Sequence, residues 1–417
     1  MDNVTHTLAG ALVAQTIAEL WPRAPDGIDP ERRRRALIWI LVAGNNLPDL
    51  DFVYTRVTGG KLGYLLHHRG HTHTLVGALI AVALLTLGTE LWARRRAIGW
   101  SVADRRLLLA CCALGPLLHI AMDFANDYGI HPFWPVYDGW FYGDSVFIVE
   151  PLLFAAAAPL VFLAKTRVWR AVTGVTLTAG LGLTWAVEFV PRASAIAVNA
   201  LGFALLAVGL RARRRTAALS GVGAWLAVTL TFVLAGTAAR QKLDVFVRAN
   251  DRGRATYDRV LTAMPANPLC WSVLLVQSEG GVYHARRGML SIAPGLFDVG
   301  SCPRAPGEPT APLVAAAAPA APGLVWRGEL ALPIAELAAL AKRHCEVAAF
   351  LRFARVPWFV SEPGRLVVGD LRYDREPELG FAELALELAP TRCPRFVPPW
   401  IPPRQDLLNA LESSPGR

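Results

Sequence analysis

Six apolar runs in the first 240 residues constrain the fold of this chain more than any other feature. A helix needs roughly 20 apolar residues to cross a hydrocarbon layer about 30 Å thick. The runs reach or approach this length, and they cover residues 74–93, 107–124, 146–164, 171–189, 194–210 and 217–239. Two shorter apolar segments, residues 7–21 and 36–47, precede them and suit tilted spans or half-spans. Residues 1–240 are therefore predicted to form a polytopic α-helical membrane domain with about six to eight membrane helices.

The charge pattern agrees with a membrane protein and argues against nucleic-acid binding. Charged residues make up 18% of the chain, whereas a soluble domain carries about a quarter. The formal net charge is +9, but the basic residues cluster at the ends of the apolar runs. These clusters are residues 32–35, 94–96, 105–106, 165–170 and 211–215. Such a distribution is typical of cytoplasmic loops, so we expect membrane lipids and no nucleic acid as binding partners.

Placing every arginine cluster in the cytoplasm predicts the topology of the chain. The last run, residues 217–239, then leads outward and puts everything after Arg240 outside the membrane. The histidine and aspartate clusters of the first part all fall at outer helix ends or in outer loops. They comprise His6, Asp49, Asp51, His67, His68, His71, His73, His119, Asp123 and His131. The topology was assigned from the arginines alone. The location of all these histidines and aspartates on one side of the membrane therefore independently predicts a site at the outer face.

Residues 241–417 have the character of a small α+β domain. A charged juxtamembrane helix is predicted over residues 244–262, and a second helix over 333–344 has a proline in its first turn. The Pro/Ala-rich stretch 303–323 is expected to be a loop or linker. Strands are predicted over residues 271–277, 282–287, 365–373 and 379–388.

The cysteines and histidines of this domain bear on its location and role. Outside the cytoplasm its four cysteines can form two disulfides in three alternative pairings, and the sequence leaves the pairing open. The cysteines are Cys270, Cys302, Cys345 and Cys393. His284 and His344 lack metal-ligand spacing and are interpreted as structural. The domain is therefore predicted to be extracytoplasmic, without a catalytic motif of its own.

The stretch HHRGHTHT, residues 67–74, holds four of the nine histidines of the chain. His68 and His73 are well spaced for a loop that wraps a metal ion, and Gly70 lets the backbone turn between them. Neutral imidazole is the commonest side-chain ligand of metals in proteins. Three roles stay open for His67 and His71: hydrogen bonding to the metal ligands, binding a second metal ion, or carrying protons.

Other ionisable residues extend this candidate site. His119 and Asp123 lie four residues apart within an apolar run and therefore share one helix face. An ionisable residue inside a membrane span costs a few kcal/mol, which favours a functional role. Asp49 and Asp51 follow Pro48 at a helix end, and His6 lies on the same predicted side of the membrane.

Mixed imidazole and carboxylate ligands suit Zn²⁺, Mn²⁺ or Fe²⁺. Zn²⁺ is favoured here, and three carboxylates leave room for one or two ions. Such an ion lowers the pKa of a bound water and polarises a scissile bond, so metal-assisted hydrolysis is the expected chemistry. The aromatic-rich loop 126–150 contributes Asp144 and His131 as predicted catalytic acid or base.

Several short motifs in the first part resemble one family. THTLAG, LPDLD, HRGHTH, HIAMD, NDYGIHPFWP and FYGDSVFIVEP, in this order over about residues 1–163, are similar to the YbcI/YdjM-like family of bacterial inner-membrane proteins. That family is described as membrane-bound metal-dependent hydrolases. The resemblance implies metal ligands at His6, Asp49, Asp51, His68, His73, His119 and Asp123.

The sequence as a whole predicts a membrane-embedded, metal-dependent hydrolase. Its active site would open at the outer face of the bacterial inner membrane and act on a lipid or lipid-linked phosphoester. Two alternatives stay open at this point: a transporter of divalent metal or protons, and an envelope protein whose metal only stabilises the fold.

Overall fold

The computed structural model of the chain contains two compact units. It describes residues 1–21, 29–55, 57–303, 310–316, 321–374, 379–388 and 393–412. The helical unit comprises Met1–Leu50, His71–Trp134 and Val146–Phe232, and the sheet unit comprises Asp51–Gly70, Pro135–Ser145 and Val233–Arg417. Of the Pro/Ala-rich stretch 303–323, residues 304–309 and 317–320 lie outside the described residues.

Helices are the regular elements that the described residues form up to Asn250. The helices are α1 (Asn3–Leu20), α2 (Pro30–Gly44), α3 (Phe52–Thr55), α4 (Gly60–His67), α5 (Leu75–Arg95), α6 (Val102–Phe124), α7 (Pro151–Ala156), α8 (Leu160–Leu163), α9 (Arg167–Ala186), α10 (Arg192–Arg211) and α11 (Arg214–Asn250). Two short 3₁₀ helices, Pro48–Asp51 and His71–His73, lie between them.

Fewer helices qualify as membrane spans than the sequence predicts. Among the described residues, α5, α6, α10 and α11 are long and apolar enough, and the bent pair Pro30–Gly44 and Pro48–Thr55 adds a fifth if it counts as one span. The predicted number of six to eight is therefore too high. Within the predicted run 146–164, α7 begins only at Pro151, and Pro159 lies in the break between α7 and α8. Helix α9 contains several threonines and glycines, which dilute its apolar character.

Glycines bring three helices of the helical unit unusually close together. A Cβ on Gly10 of α1 would lie 2.6 Å from the carbonyl oxygen of Leu41 in α2. A Cβ on Gly115 of α6 would lie 2.9 Å from the Cα of Gly44 in α2. Only glycine permits such backbone contact, which is a common way for membrane helices to associate.

Substitution of Gly115 by valine should therefore destabilise the helical unit. Overpacking of this kind typically costs about 1–3 kcal/mol, and it should lower the thermal unfolding midpoint of the purified protein in detergent. Gly88→Val in α5 is the matched control, because a Cβ at Gly88 would meet no atom within 4 Å. Equal midpoints for the two variants would contradict the close packing of α2 against α6.

The C-terminal part of the sheet unit is rich in antiparallel sheet. One sheet has the order β1 (Ala255–Met264), β2 (Asn267–Glu279), β3 (Val282–Ser291) and β4 (Leu324–Pro333), and the other has the order β5 (Pro357–Glu362), β6 (Arg365–Asp370) and β7 (Glu383–Glu387). The helices are α12 (Ile334–Arg343), α13 (Cys345–Phe350) and α14 (Gln405–Glu412). A buried core that includes Val276, Tyr283, Trp358 and Val367 stabilises this region.

The start of this region differs from the prediction. Residues 244–262 are not one helix, because α11 ends at Asn250 and β1 begins at Ala255. In β1, Val260 and Leu261 are buried and pair with Leu274 and Val273 of β2. The charged residues suggested an exposed helix, but burial of apolar side chains in a sheet overrides this local preference. The cysteines form two disulfides, Cys270–Cys302 and Cys345–Cys393.

Candidate metal centre

Four ionisable side chains converge inside the helical unit. They are Asp49, His73, His119 and Asp123, and one ligand atom of each lies within 4.8 Å of the others. All four residues are buried. Buried carboxylates and imidazoles need partners or a metal ion, because an isolated buried charge is costly.

The distances in this cluster match the edges of a coordination polyhedron. His73 Nε2 lies 2.9 Å from His119 Nε2, and Asp49 Oδ1 lies 3.3 and 3.5 Å from these two nitrogens. Asp123 Oδ2 lies 3.0 and 3.3 Å from the same nitrogens. Metal–ligand bonds of about 2.0–2.2 Å place neighbouring ligand atoms roughly 3.0–3.5 Å apart. The four side chains can therefore hold one divalent metal ion with two nitrogen and two oxygen ligands.

The orientation of His119 is set by a backbone carbonyl. Its Nδ1 lies 2.9 Å from the carbonyl oxygen of Asn45, which can only accept a hydrogen bond. Nδ1 therefore carries the proton, and a neutral ring presents the lone pair of Nε2 to the cluster. Metal-bound histidines usually donate their other ring N–H in this way. The side chain of Asn45 in turn donates to the carbonyl of His6, which links α1 to the end of α2.

The HTHT sequence folds so that His73 points inward. Residues His71–His73 form a 3₁₀ turn, and Thr74 then caps the N-terminus of α5 by accepting a hydrogen bond from the backbone N–H of Gly77. The Thr74 hydroxyl also donates to the carbonyl of His71 at 2.8 Å. A Cβ on Gly77 would lie 2.5 Å from that carbonyl oxygen, so glycine is required for this tight start.

Asp49 and Asp123 are each held by a second polar group. Asn3 Nδ2 donates to Asp49 Oδ2 at 2.8 Å, which leaves Oδ1 facing the two imidazoles. His6 Nε2 lies 3.2 Å from Asp123 Oδ1, and the Met1 amino group also pairs with that oxygen. Asn3 and Asn45 were not among the residues predicted from the sequence, and neither has a spacing signal that would reveal it.

His6 is predicted as a metal ligand, and the structure places it beside the four-residue cluster. Its ring stacks on that of His119 with centroids 3.9 Å apart. Its Nε2 is directed at Asp123 Oδ1, whereas Oδ2 is the oxygen that faces His73 and His119. This geometry suits a residue that orients Asp123, and its role as a ligand stays a prediction.

Asp51 and His68, the other two predicted ligands, belong to the sheet unit. His68 Nδ1 lies 3.0 Å from Asp51 Oδ1, and Asp51 Oδ2 accepts a hydrogen bond from the backbone N–H of Arg69 at 3.0 Å. His67 Nε2 lies 2.9 Å from the carbonyl oxygen of Phe396. His71 packs edge-on against Trp134 within the helical unit. The histidines of HHRGHTHT thus have four different environments.

The two predicted catalytic residues are both buried. His131 lies in the helical unit. Asp144 lies in the sheet unit, where its two oxygens accept hydrogen bonds from Arg355 at 2.7 and 2.9 Å and Arg240 lies 3.2 Å away. The catalytic roles of both residues stay predictions.

Two aromatic side chains of the loop 126–150 contact arginines of the sheet unit. Trp140 Nε1 donates to the carbonyl of Arg352 at 2.7 Å. The Arg355 guanidinium lies 3.9 Å from the centre of the Tyr142 ring. These two aromatic side chains are thus held by protein groups of the sheet unit.

Comparison with known proteins finds a family model that matches the first part of the chain. No curated protein and no solved structure matches the chain. The family model described as "YdjM inner membrane protein" matches residues 1–195, and this region includes all four residues of the cluster. Together with the apolar helices, the match points to an inner membrane protein. Residues 1–195 are thus similar to a YdjM-like inner-membrane protein family.

Proposed function

We propose that the protein is a membrane-embedded, metal-dependent hydrolase that acts on a lipid or lipid-linked phosphoester. The observation that supports this proposal most strongly is the convergence of Asp49, His73, His119 and Asp123. Their ligand atoms lie within 4.8 Å of one another in a buried site. Zn²⁺ is the ion we favour, because two imidazoles and two carboxylates suit it, and Mn²⁺ or Fe²⁺ fit the same ligands.

The protein groups around the cluster keep the proposed ligands in place. The carbonyl of Asn45 fixes the His119 ring, Asn3 holds the far oxygen of Asp49, and His6 holds the far oxygen of Asp123. Side chains held by such bonds need little rearrangement on binding, which favours both affinity and catalysis. A bound divalent ion would supply an activated water and polarise the phosphoester.

Two residues are predicted as acid or base for proton transfer: His131 in the helical unit and Asp144 in the sheet unit. A neutral imidazole can accept a proton from water and return it to the leaving group, which is the role we propose for His131. Both oxygens of Asp144 bind Arg355, so this carboxylate is better suited to positioning than to releasing a proton. The first role in proton transfer therefore falls to His131.

We place the active site and the C-terminal region on the outer side of the inner membrane. The arginine clusters predict this orientation by the positive-inside rule. The disulfides Cys270–Cys302 and Cys345–Cys393 support it, because disulfides persist in the periplasm and are rare in the cytosol. A periplasm-specific reporter fused after Arg417 should be active, and activity of a cytoplasm-specific reporter instead would reverse the topology.

Hydrolysis is tested with the full-length protein in detergent micelles. The protein is loaded with Zn²⁺ or Mn²⁺ and mixed with lipids that carry phosphomonoester or phosphodiester headgroups, and released products are identified by mass spectrometry. We expect metal-dependent release that falls at least about a hundredfold in Asp49→Asn. Glu329→Gln, in the sheet unit, is the control and should keep full activity. If the metal-loaded protein releases no product from either lipid class, the assignment as a lipid phosphoester hydrolase is wrong.

A structural metal is the second candidate, favoured by the burial of the ligands. The side chains of Asp49, His73, His119 and Asp123 are at most 8% exposed. Four protein ligands without an open position are typical of structural sites. Water proton relaxation of the Mn²⁺-loaded protein separates the two candidates. A fast-exchanging water on the ion supports catalysis, and its absence supports a structural role.

A further inference from the structure

A strap near the C-terminus ties together the separate segments of the sheet unit. We define the strap as residues 393–404. The Cys345–Cys393 disulfide anchors its start to α13, and Arg404 anchors its end 3.4 Å from Asp258 of β1. In between, Arg352 Nη1 donates to the carbonyl of Pro398 at 3.0 Å. The strap is therefore held at both ends and in its middle.

The strap holds the segment Asp51–Gly70. Trp400 is fully buried, and its Nε1 donates to the carbonyl of Leu66 at 2.8 Å. The Phe396 carbonyl accepts a hydrogen bond from His67 Nε2 at 2.9 Å. A Cβ on Gly70 would lie 3.1 Å from the Trp400 ring, so the backbone at the end of the segment lies against that ring.

The same strap also holds the segment Pro135–Ser145. The backbone N–H of Ile401 donates to the carbonyl of Asp138 at 3.1 Å. Arg352, which donates to the strap, accepts a hydrogen bond from Trp140 through its own carbonyl. Two segments that are distant in sequence are thus clamped by one short stretch.

Chain connectivity makes this clamp relevant to the metal centre. Asp49 lies two residues before Asp51, and His73 lies three residues after Gly70. The segment Asp51–Gly70 therefore links two of the four candidate ligands. A free linker would have to lose conformational entropy whenever both ligands engaged one ion. A clamped linker has already lost that entropy on folding, which raises affinity.

We propose that the strap, and Trp400 in particular, is a positioning element that raises the metal affinity of the site by fixing the linker between Asp49 and His73. This inference rests on the proposed metal site and adds a role for a part of the chain beyond residues 1–195, the region matched by the family model. Trp400 acts through the linker and is not itself a ligand.

The test is Co²⁺ binding by the full-length protein, followed by the visible absorption of the bound ion. Trp400→Ala should raise the dissociation constant at least about tenfold and change the Co²⁺ spectrum, because ligand geometry loosens. Trp400→Phe keeps an aromatic ring but loses the bond to the Leu66 carbonyl, so we expect about a fivefold rise. Both are measured well below the unfolding midpoint of each variant.

Trp358→Phe is the matched control. Trp358 is a buried tryptophan of the core around β5, where its ring packs against Gly369 of β6. This variant should unfold at a lower temperature and yet bind Co²⁺ with the wild-type affinity and spectrum. An equal loss of affinity in Trp358→Phe would mean that Trp400 acts only through general stability.

The outcomes separate this inference from the proposed function. If the wild type binds Co²⁺ and both Trp400 variants bind it with the same affinity and spectrum, only the positioning role is wrong. If the wild type binds no divalent ion, the metal centre and the positioning role both fail. A graded loss from Trp400→Phe to Trp400→Ala with an unchanged Trp358→Phe establishes the role of the strap.

Discussion

The double variant His119→Gln/Asp123→Asn is expected to bind divalent metal with an affinity more than about a hundredfold below that of the wild type. Loss of a group that only supports a ligand lowers metal affinity by up to about a hundredfold, and here two proposed ligands themselves are lost. The wild type should retain about one equivalent of Zn, Mn or Fe, the capacity of one four-ligand site, after purification in detergent. The substitutions remove one imidazole and one carboxylate but nearly preserve volume, so the packing of α6 is retained. Inductively coupled plasma mass spectrometry of both proteins measures the metal content.

A histidine–acid pair elsewhere in the chain provides the control for this experiment. His284 Nδ1 lies 2.9 Å from Glu329 Oε1 in the sheet unit. The variant His284→Gln/Glu329→Gln should keep the wild-type metal content. Metal that stays bound in His119→Gln/Asp123→Asn, with both variants monodisperse, would show that the four-residue cluster is not the site.

Replacing Arg355 by methionine is expected to destabilise the sheet unit by about 3–5 kcal/mol, the usual cost of breaking a buried ion pair from one side. Arg355 is buried and bridges Asp144 and Asp258, with Nε 2.8 Å from Asp258 Oδ2. Burial alone would raise the pKa of Asp258, but Arg355 and Arg404 outweigh it and hold that pKa well below its ordinary value. Without Arg355, two carboxylates lose their main counter-charge.

The loss of stability in Arg355→Met should depend on pH, because the pKa of Asp258 is lowered in the folded protein. A carboxylate with a depressed pKa in the folded state stabilises the protein above its unfolded pKa of about 4, and this contribution is lost as the pH falls further. The difference between wild type and Arg355→Met should therefore be complete above about pH 4 and shrink below it. Urea unfolding of the full-length protein, followed by tryptophan fluorescence with the disulfides intact, measures the free energy of unfolding of both proteins at each pH.

An exposed ion pair in the same unit sets the scale for comparison. Arg365 Nε pairs with Glu362 Oε2 at 2.6 Å, and the Arg365 side chain is 51% exposed. Arg365→Met should change the free energy of unfolding by less than about 1 kcal/mol, as is usual for surface pairs. A similar small effect for Arg355→Met would mean that its ion pairs are solvated in solution.

Much of the candidate metal centre is predictable because ionisable residues are rare among apolar helices. His119 and Asp123 share one face of α6, and helical periodicity alone puts them together. The HRGHTH stretch and the LPDLD turn are short local patterns, and both supply residues of the cluster through His73 and Asp49. No such pattern marks Asn3 or Asn45. The side-chain amide of Asn3 and the backbone carbonyl of Asn45 contact Asp49 and His119 only once distant segments pack together.

The number of spans was harder to predict for a related reason. Apolar length is a property of a segment, but the run 146–164 is helical only from Pro151 and is split into α7 and α8 at Pro159. The sequence likewise predicts a helix where most of β1 forms, because the charged residues suggest an exposed helix and the pairing with β2 depends on a long-range contact. The composition of a segment predicts its burial poorly when the surface that buries it belongs to a segment distant in the sequence.

The sequence by itself determined the apolar segments, the ionisable residues that lie among them as candidate metal ligands, and the presence of four cysteines that can form two disulfides in the C-terminal region. These properties depend on residue type and on spacing along one helix or turn. The tertiary structure alone decided which four residues meet, how Asn45 orients His119, which cysteines pair, and that Trp400 holds the linker between Asp49 and His73. These features join residues far apart in the chain, and only the folded packing of helices and strands brings such residues together.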